Sequence, residues 1–250
     1  MEIIVFGAHP DDEHGMSGTI CRLTSSSHNV RYVCTTDNLK NGHERREEMK
    51  KSADVLGIRS LHWLGEPDGA LAVTPDVVSN FNTLVDSLPK SDVVFVMWPV
   101  DVHPDHRRTA DLVMTRYFQR GVNVPMFAYA LNSSGRAFDY IRPQTTAFFP
   151  THYCDVGGVV EVMKKADSFH VTQDAPAMWK GVETMLRGRG KEMSGIMSLR
   201  DSKPVQFAEA FVYMTRHGEP PDWIKEYFVR AIWNCSAGIP YEVRPESVGL

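Results

Sequence analysis

Five short apolar runs mark the first half of the chain: Ile3 to Phe6, Val30 to Cys34, Leu61 to Leu64, Val93 to Met97 and Met126 to Leu131. They lack regular alternation with polar residues, which is the pattern of strands covered on both faces of a sheet. The segments between them have helical spacing. His43 to Leu56 puts Met49, Ala53 and Leu56 on one face, with Arg45, Arg46, Glu47, Lys50 and Lys51 over the rest. Pro75 to Leu88 has Thr74 as an N-cap and Pro75 at the first helical position, and carries Val77, Val78, Phe81, Leu84 and Val85. Asp105 to Phe118 carries Ala110, Val113, Met114 and Tyr117. Strands alternating with helices predict an α/β fold with a parallel sheet between two helical layers. Right-handed crossovers would gather the loops after the strands at one sheet edge.

The last third is less regular. Gly157 to His170 reads as a helix. Arg187 to Gly195 is rich in glycine and charge and reads as a mobile loop. Phe207 to Met214 fits strand or helix. Pro221 to Asn234 reads as an amphipathic helix whose aromatics pack on the body of the domain or on a second copy, so a homo-oligomer stays open. Without an internal repeat, a low-complexity tract or a clear linker, residues 1–250 read as one domain.

Composition narrows the class. Hydrophobic residues at 42% and charged residues at 23% exclude wholesale disorder. A net charge of −4 argues against nucleic acid or an anionic membrane as the main partner. No apolar run approaches the roughly 18 to 20 residues of a membrane span. Cys21, Cys34, Cys154 and Cys235 form no CxxC and read as reduced thiols. The first residues carry no signal peptide, and with the reduced thiols this points to the cytoplasm.

Chemistry concentrates at two strand ends. Ala8-His9-Pro10-Asp11-Asp12-Glu13-His14 follows the first apolar run directly. Two histidines and three carboxylates in six positions call for a compensating charge, and a divalent cation would supply it. His103-Pro104-Asp105-His106 follows the Val93 to Met97 run and can meet the first loop at the same edge. A catalytic zinc site takes three nitrogen or oxygen ligands and leaves one position open. His9, Asp12 and His106 would supply the three, with Asp11 and His103 free beside the metal. The plainer reading makes Asp11, Asp12 and Glu13 helix-capping acids and HPDH a turn whose Asp105 caps the next helix.

AHPDDE after an N-terminal strand, with HPDH roughly ninety residues later, resembles the PIG-L / LmbE-like family of zinc-dependent N-deacetylases. RREEMKKSADVLGI at 45–58, KADSFHVTQ at 165–173 and AEAF at 208–211 extend the resemblance over most of positions 3 to 214, and the last 35 or so residues much less. Two departures stand out. EHGMSGT at 13–19 is one residue shorter than the usual entry to the first helix, and His14 is not a usual family residue. His14 reads as a solvated helix-face residue or a substrate contact.

The resemblance implies a Rossmann-like three-layer sandwich with its active site at the C-terminal ends of the strands. It implies zinc on His9, Asp12 and His106, although another divalent transition metal would suit the same ligands. Asp11 would be the general base, and His103, as imidazolium, would stabilise the oxyanion. Asp105 would orient a histidine or cap the helix. Arg45 and Asp101 would contact substrate, and Trp98 would offer a stacking face. His170 and Gln173 would approach the site or form a buried pair. The implied reaction removes an N-acetyl group from an amino sugar such as a GlcNAc-containing small molecule or glycoside. Alternatives are a metallo-amidase acting on a non-sugar amide (a thiol conjugate or antibiotic intermediate) and a non-catalytic binding module. The stretches 65–72, 132–143 and 186–203 would set specificity.

Overall fold

The computed structural model describes residues 1–37, 42–119, 122, 124–131, 148–197, 204–214 and 221–230. All five apolar runs are strands: β1 (Glu2–Gly7), β2 (Asn29–Asp37), β3 (Ser60–Pro67), β4 (Val93–Met97) and β5 (Met126–Tyr129). Three more complete the described sheet: β6 (His152–Asp155), β7 (Ala208–Met214) and β8 (Val229–Arg230). Its order is β3-β2-β1-β4-β5-β7-β6-β8. The first five strands pair in parallel, and β7, β6 and β8 continue the sheet antiparallel.

Ile3 and Val5 point into one core with α1 (Ser17–Ser25), α2 (Gly42–Leu56) and α5 (Val160–Asp167). Ile4 and Phe6 point into the opposite core with α3 (Pro75–Asp86) and α4 (Pro104–Met114). Both faces of the strand are covered, so its residues need no polar alternation. Thr74 caps α3 as expected, accepting from Val77 N at 3.3 Å. After β1 the chain turns to β2 and β3 on one side, then crosses back to β4 on the other. The two C-terminal ends flank the crevice where parallel sheets place their ligands.

The structure corrects several sequence expectations. Arg187 to Gly195 is not a loop but part of the long helix α6 (Ala175–Met197). A Cβ on Gly190 would lie 2.5 Å from the Gln206 carbonyl oxygen, so glycine lets the helix cross the chain there. Arg187 pairs with Glu183 one turn back and stacks on Phe207, and Arg189 pairs with Glu192. These contacts override the weak helix propensity of the glycines. Of Pro221 to Asn234, the described residues 221–230 are helical only over α7 (Ile224–Tyr227). Phe228 is extended, and Val229 and Arg230 pair with the open edge of β6. Residues 231–234 lie outside the described residues. Trp223, Tyr227 and Phe228 pack on the chain's own core. Gly157 to His170 begins as a 3-10 turn and becomes α5, and Phe207 to Met214 resolves as β7. Cys21, Cys34 and Cys154 are buried free thiols, and Cys154 sits within β6. Cys235 and the 132–143 stretch lie outside the described residues. Among those described, no helix is long and apolar enough to cross a membrane.

The first helix has no side-chain cap of its own. Its first amides, Gly18 N and Thr19 N, donate instead to Glu209 on β7 at 2.8 and 2.7 Å. Glu209→Ala strands both amides in a buried site and should cost about 1–3 kcal/mol. Urea denaturation reads this as a lower midpoint; an unchanged midpoint would show that water replaces the cap without cost.

Candidate active site

The chain leaves β1 through Gly7, where a Cβ would lie 1.6 Å from the Tyr32 hydroxyl. The same Cβ would lie 3.1 Å from the Asp12 Cβ, so only glycine leaves room for both side chains. The following residues form a tight turn, with Asp11 N and Asp12 N both donating to His9 O at 2.9 and 3.3 Å. A single 3-10 turn, Asp12–Gly15, follows, and α1 begins at Ser17. Asp12 Oδ2 accepts from Ala8 N at 2.8 Å and His9 N at 2.6 Å. Its other oxygen, Oδ1, faces His106 Nε2 at 3.5 Å.

The second loop runs from Trp98, whose N donates to Tyr129 O at 2.7 Å, to the start of α4. His103 is the N-cap of α4. Its Nδ1 accepts from Asp105 N at 3.2 Å, so in the neutral ring the hydrogen sits on Nε2. Burial and the His9 and His106 charges hold its pKa below the usual value, which favours that neutral ring over the expected imidazolium. Asp105 is fully buried and does not cap the helix. It accepts from Gly69 N and Leu71 N, and its Oδ2 lies 3.3 Å from His9 Nε2. Asp101 is also buried. It accepts from His103 N at 2.8 Å, and its Oδ1 lies 3.1 Å from His106 Nδ1. Its carboxylate therefore faces His106 and the loop backbone.

A third strand end contributes a residue that the sequence reading did not name. Asp68 follows β3, with Oδ1 3.1 Å from His9 Nε2 and Oδ2 3.4 Å from Arg45 Nη1. Its signal was the Pro67-Asp68-Gly69 turn, since Gly69 takes a left-handed φ of 77°. Arg45 is buried, and its Nη2 lies 2.8 Å from Asp11 Oδ1. The guanidinium thus bridges Asp11 and Asp68.

His14 is buried rather than solvated, with Nδ1 donating to Asp11 O. Behind the turn, Glu13 accepts from Ser52 Oγ and His170 Nε2, both at 2.6 Å. Glu48 accepts from Thr172 N and Oγ1, and Gln173 turns back onto Thr172. His170 is thus buried and paired, but with Glu13 and not with Gln173 as expected. Trp98 packs edge-on against Phe148, with ring centroids 5.4 Å apart.

The donor set fits a divalent metal. His9 Nδ1 and His106 Nε2 are 3.2 Å apart; Asp12 Oδ2 lies 3.4 Å from the first and Asp12 Oδ1 3.5 Å from the second. Ligands held about 2.0–2.1 Å from a tetrahedral zinc are about 3.3 Å from one another. The local field agrees. Burial opposes a charge on His9, yet the Asp12 carboxylate and contacts with Asp105 and Asp68 push its pKa up to about 12. His106 is raised to about 9 against the same burial by Asp12 and Asp101. Surroundings that hold two protons this firmly favour a cation in their place.

Such a cluster, at the switch point of a parallel sheet, is a place where an α/β protein could hold a metal ion. The sequence profile of the PIG-L family, described as GlcNAc-PI de-N-acetylase, matches residues 4–117. Diacetylchitobiose deacetylase of Thermococcus kodakarensis is 30% identical over 209 residues, covering 74% of this chain and 75% of the relative. Among solved structures, N,N'-diacetylchitobiose deacetylase from Pyrococcus horikoshii superposes with a TM-score of 0.65 at 24% identity, over 86% of this chain and 84% of that one. GalB, a 4-carboxy-2-hydroxymuconate hydratase from Pseudomonas putida, reaches 0.70 at 15% identity over 88% and 98%, which shows the shared fold alone. The chain belongs to the PIG-L family and is an N-deacetylase.

The Glu13–His170 pair makes stability depend on pH. Burial opposes charge on both, but their mutual attraction wins, lowering the Glu13 pKa and raising that of His170 to about 9. The raised histidine contributes fully below its unfolded value of about 6.5, and its contribution fades as pH rises through 9. The lowered glutamate contributes fully above about 4.5 and fades as pH falls through its folded pKa. Thermal melts of wild type against His170→Gln should differ most between about pH 4.5 and 6.5 and converge by pH 9.5. A constant gap across that range would show the pair to be uncharged.

Proposed function

We propose that this chain, read as one domain over 1–250, is a zinc-dependent deacetylase of N-acetylated amino sugars, acting on a GlcNAc-type small molecule or glycoside. One observation carries the reading: His9 Nδ1, His106 Nε2 and Asp12 converge with 3.2–3.5 Å separations, while Asp11 adjoins them. The similarity to a diacetylchitobiose deacetylase supports the sugar class. Buried free thiols support a reducing compartment, the cytoplasm.

His9, Asp12 and His106 would hold the zinc, which supplies Lewis acidity at the scissile carbonyl. Asp105 and Asp68 fix the His9 ring through Nε2, and Asp101 fixes His106 through Nδ1, the usual carboxylate support of histidine ligands. Asp11 takes the proton from the attacking water. Arg45 grips its Oδ1 and leaves Oδ2 without a hydrogen bond among the described residues. His103, with Nδ1 occupied by the helix cap, donates from Nε2 to the developing oxyanion. When the C–N bond breaks, Asp11 returns its proton to the departing nitrogen. Acetate and a free amine result. Arg45 and Asp101 act in this scheme by holding Asp11 and His106, and reach substrate only through them.

The test incubates zinc-loaded protein with free GlcNAc, GlcNAc glycosides and chitobiose and measures new primary amine. Asp11→Asn should lower turnover about 100-fold or more while zinc stays bound. His103→Ala should lower kcat by about 100- to 1000-fold with little change in bound metal. Release that persists with Asp11→Asn, or after a chelator has removed the zinc, would overturn the proposal.

A further inference from the structure

The Asp11–Asp12 turn is tied to the end of β1 by its own hydrogen bonds, and Glu13, the next residue, ties it to the helices behind. A 3-10 turn has three residues per turn, so consecutive side chains leave it in different directions. Asp12 points to the end of β1 and the histidines, whereas Glu13 points back to Ser52 and His170. Pinning Glu13 therefore sets the rotation at which the neighbouring aspartates are presented. Both members of the pin are buried, and they lie 157 residues apart in sequence.

The helix α2 organises the rest. Arg45, Glu48 and Ser52 occupy positions i, i+3 and i+7 and share one face. Arg45 holds Asp11, Ser52 holds Glu13, and Glu48 holds Thr172 beside His170. The same helix thus grips the base, the residue two positions after it, and the segment that carries the histidine.

We infer that His170 is a positioning residue: through Glu13 it sets the orientation of the Asp11–Asp12 turn relative to Arg45 and the metal-binding histidines. The inference rests on the proposed roles of Asp11 and Asp12, and its test separates the two. An error of about 1 Å in a reacting group can cost about 100-fold in rate. His170→Ala should lower kcat for an N-acetylated sugar substrate about 10- to 100-fold and leave KM within about twofold. His170→Gln, whose amide can still donate to Glu13, should recover part of the loss, and it serves alone if His170→Ala does not fold. Arg116→Ala controls for simple destabilisation. It cuts the contacts of Arg116 with Asn82 and Asp86, away from the Asp11–Asp12 turn, and should leave kcat unchanged.

A second readout needs no turnover. Cobalt(II) suits a nitrogen–oxygen site, and its visible bands report ligand geometry. Those bands should shift in cobalt-loaded His170→Ala and Glu13→Gln but not in Arg116→Ala. If wild type deacetylates no sugar, the substrate reading falls and the cobalt bands alone decide the positioning. Bands and kcat that match wild type in His170→Ala, or a kcat loss equal to that of Arg116→Ala, would overturn the inference.

Discussion

The Asp12 carboxylate is the constraint on which the site depends. One of its oxygens is spent on the amides of Ala8 and His9, donors that β1 leaves unpaired where its pairing ends. The same oxygen lies beside His9 Nδ1, and the other is left facing His106. Backbone, not a flexible side chain, therefore sets its direction, and the backbone is fixed by the register of β1 with β2 and β4. His106 meets it because β4 is the immediate neighbour of β1. Two strand ends separated by about ninety residues are brought within bonding range of one cation by a single sheet pairing.

The parallel half of the fold was legible because burial on both faces leaves a plain signature. Runs such as Val93 to Met97 had no other stable use. The convergence of the two charged loops was legible for an electrostatic reason, since AHPDDE and HPDH place more charge at apolar strand ends than water-free surroundings tolerate. What was not legible depended on contacts distant in sequence. Gly190 looked like a helix breaker until Gln206 lay against it. Val229 and Arg230 looked helical until the free edge of β6 paired with them. Asp68 was not singled out within the 65–72 stretch, because nothing local tells that its carboxylate reaches His9.

Arg45 and Asp101 teach a related point. Both stand where a substrate contact was expected, yet both are buried and face Asp11 and His106. A motif fixes where a residue stands in the chain but not which way its charge is used. The same caution applies to the fold as a whole, since a hydratase shares it. The sandwich supplies the crevice, and the side chains at the strand ends decide the reaction.

Glu209 on β7 carries a consequence for the order of events at the ribosome. All three residues proposed to bind zinc have been made once position 106 is added, and the segment matching the family profile ends at 117. The first helix, however, must wait for residue 209 before its leading amides are satisfied, and Glu13 waits for residue 170. A nascent chain thus carries a full set of ligands long before it carries the parts that hold them still. Metal captured at that stage would meet a loose site, and its firm seating belongs to the last steps of synthesis.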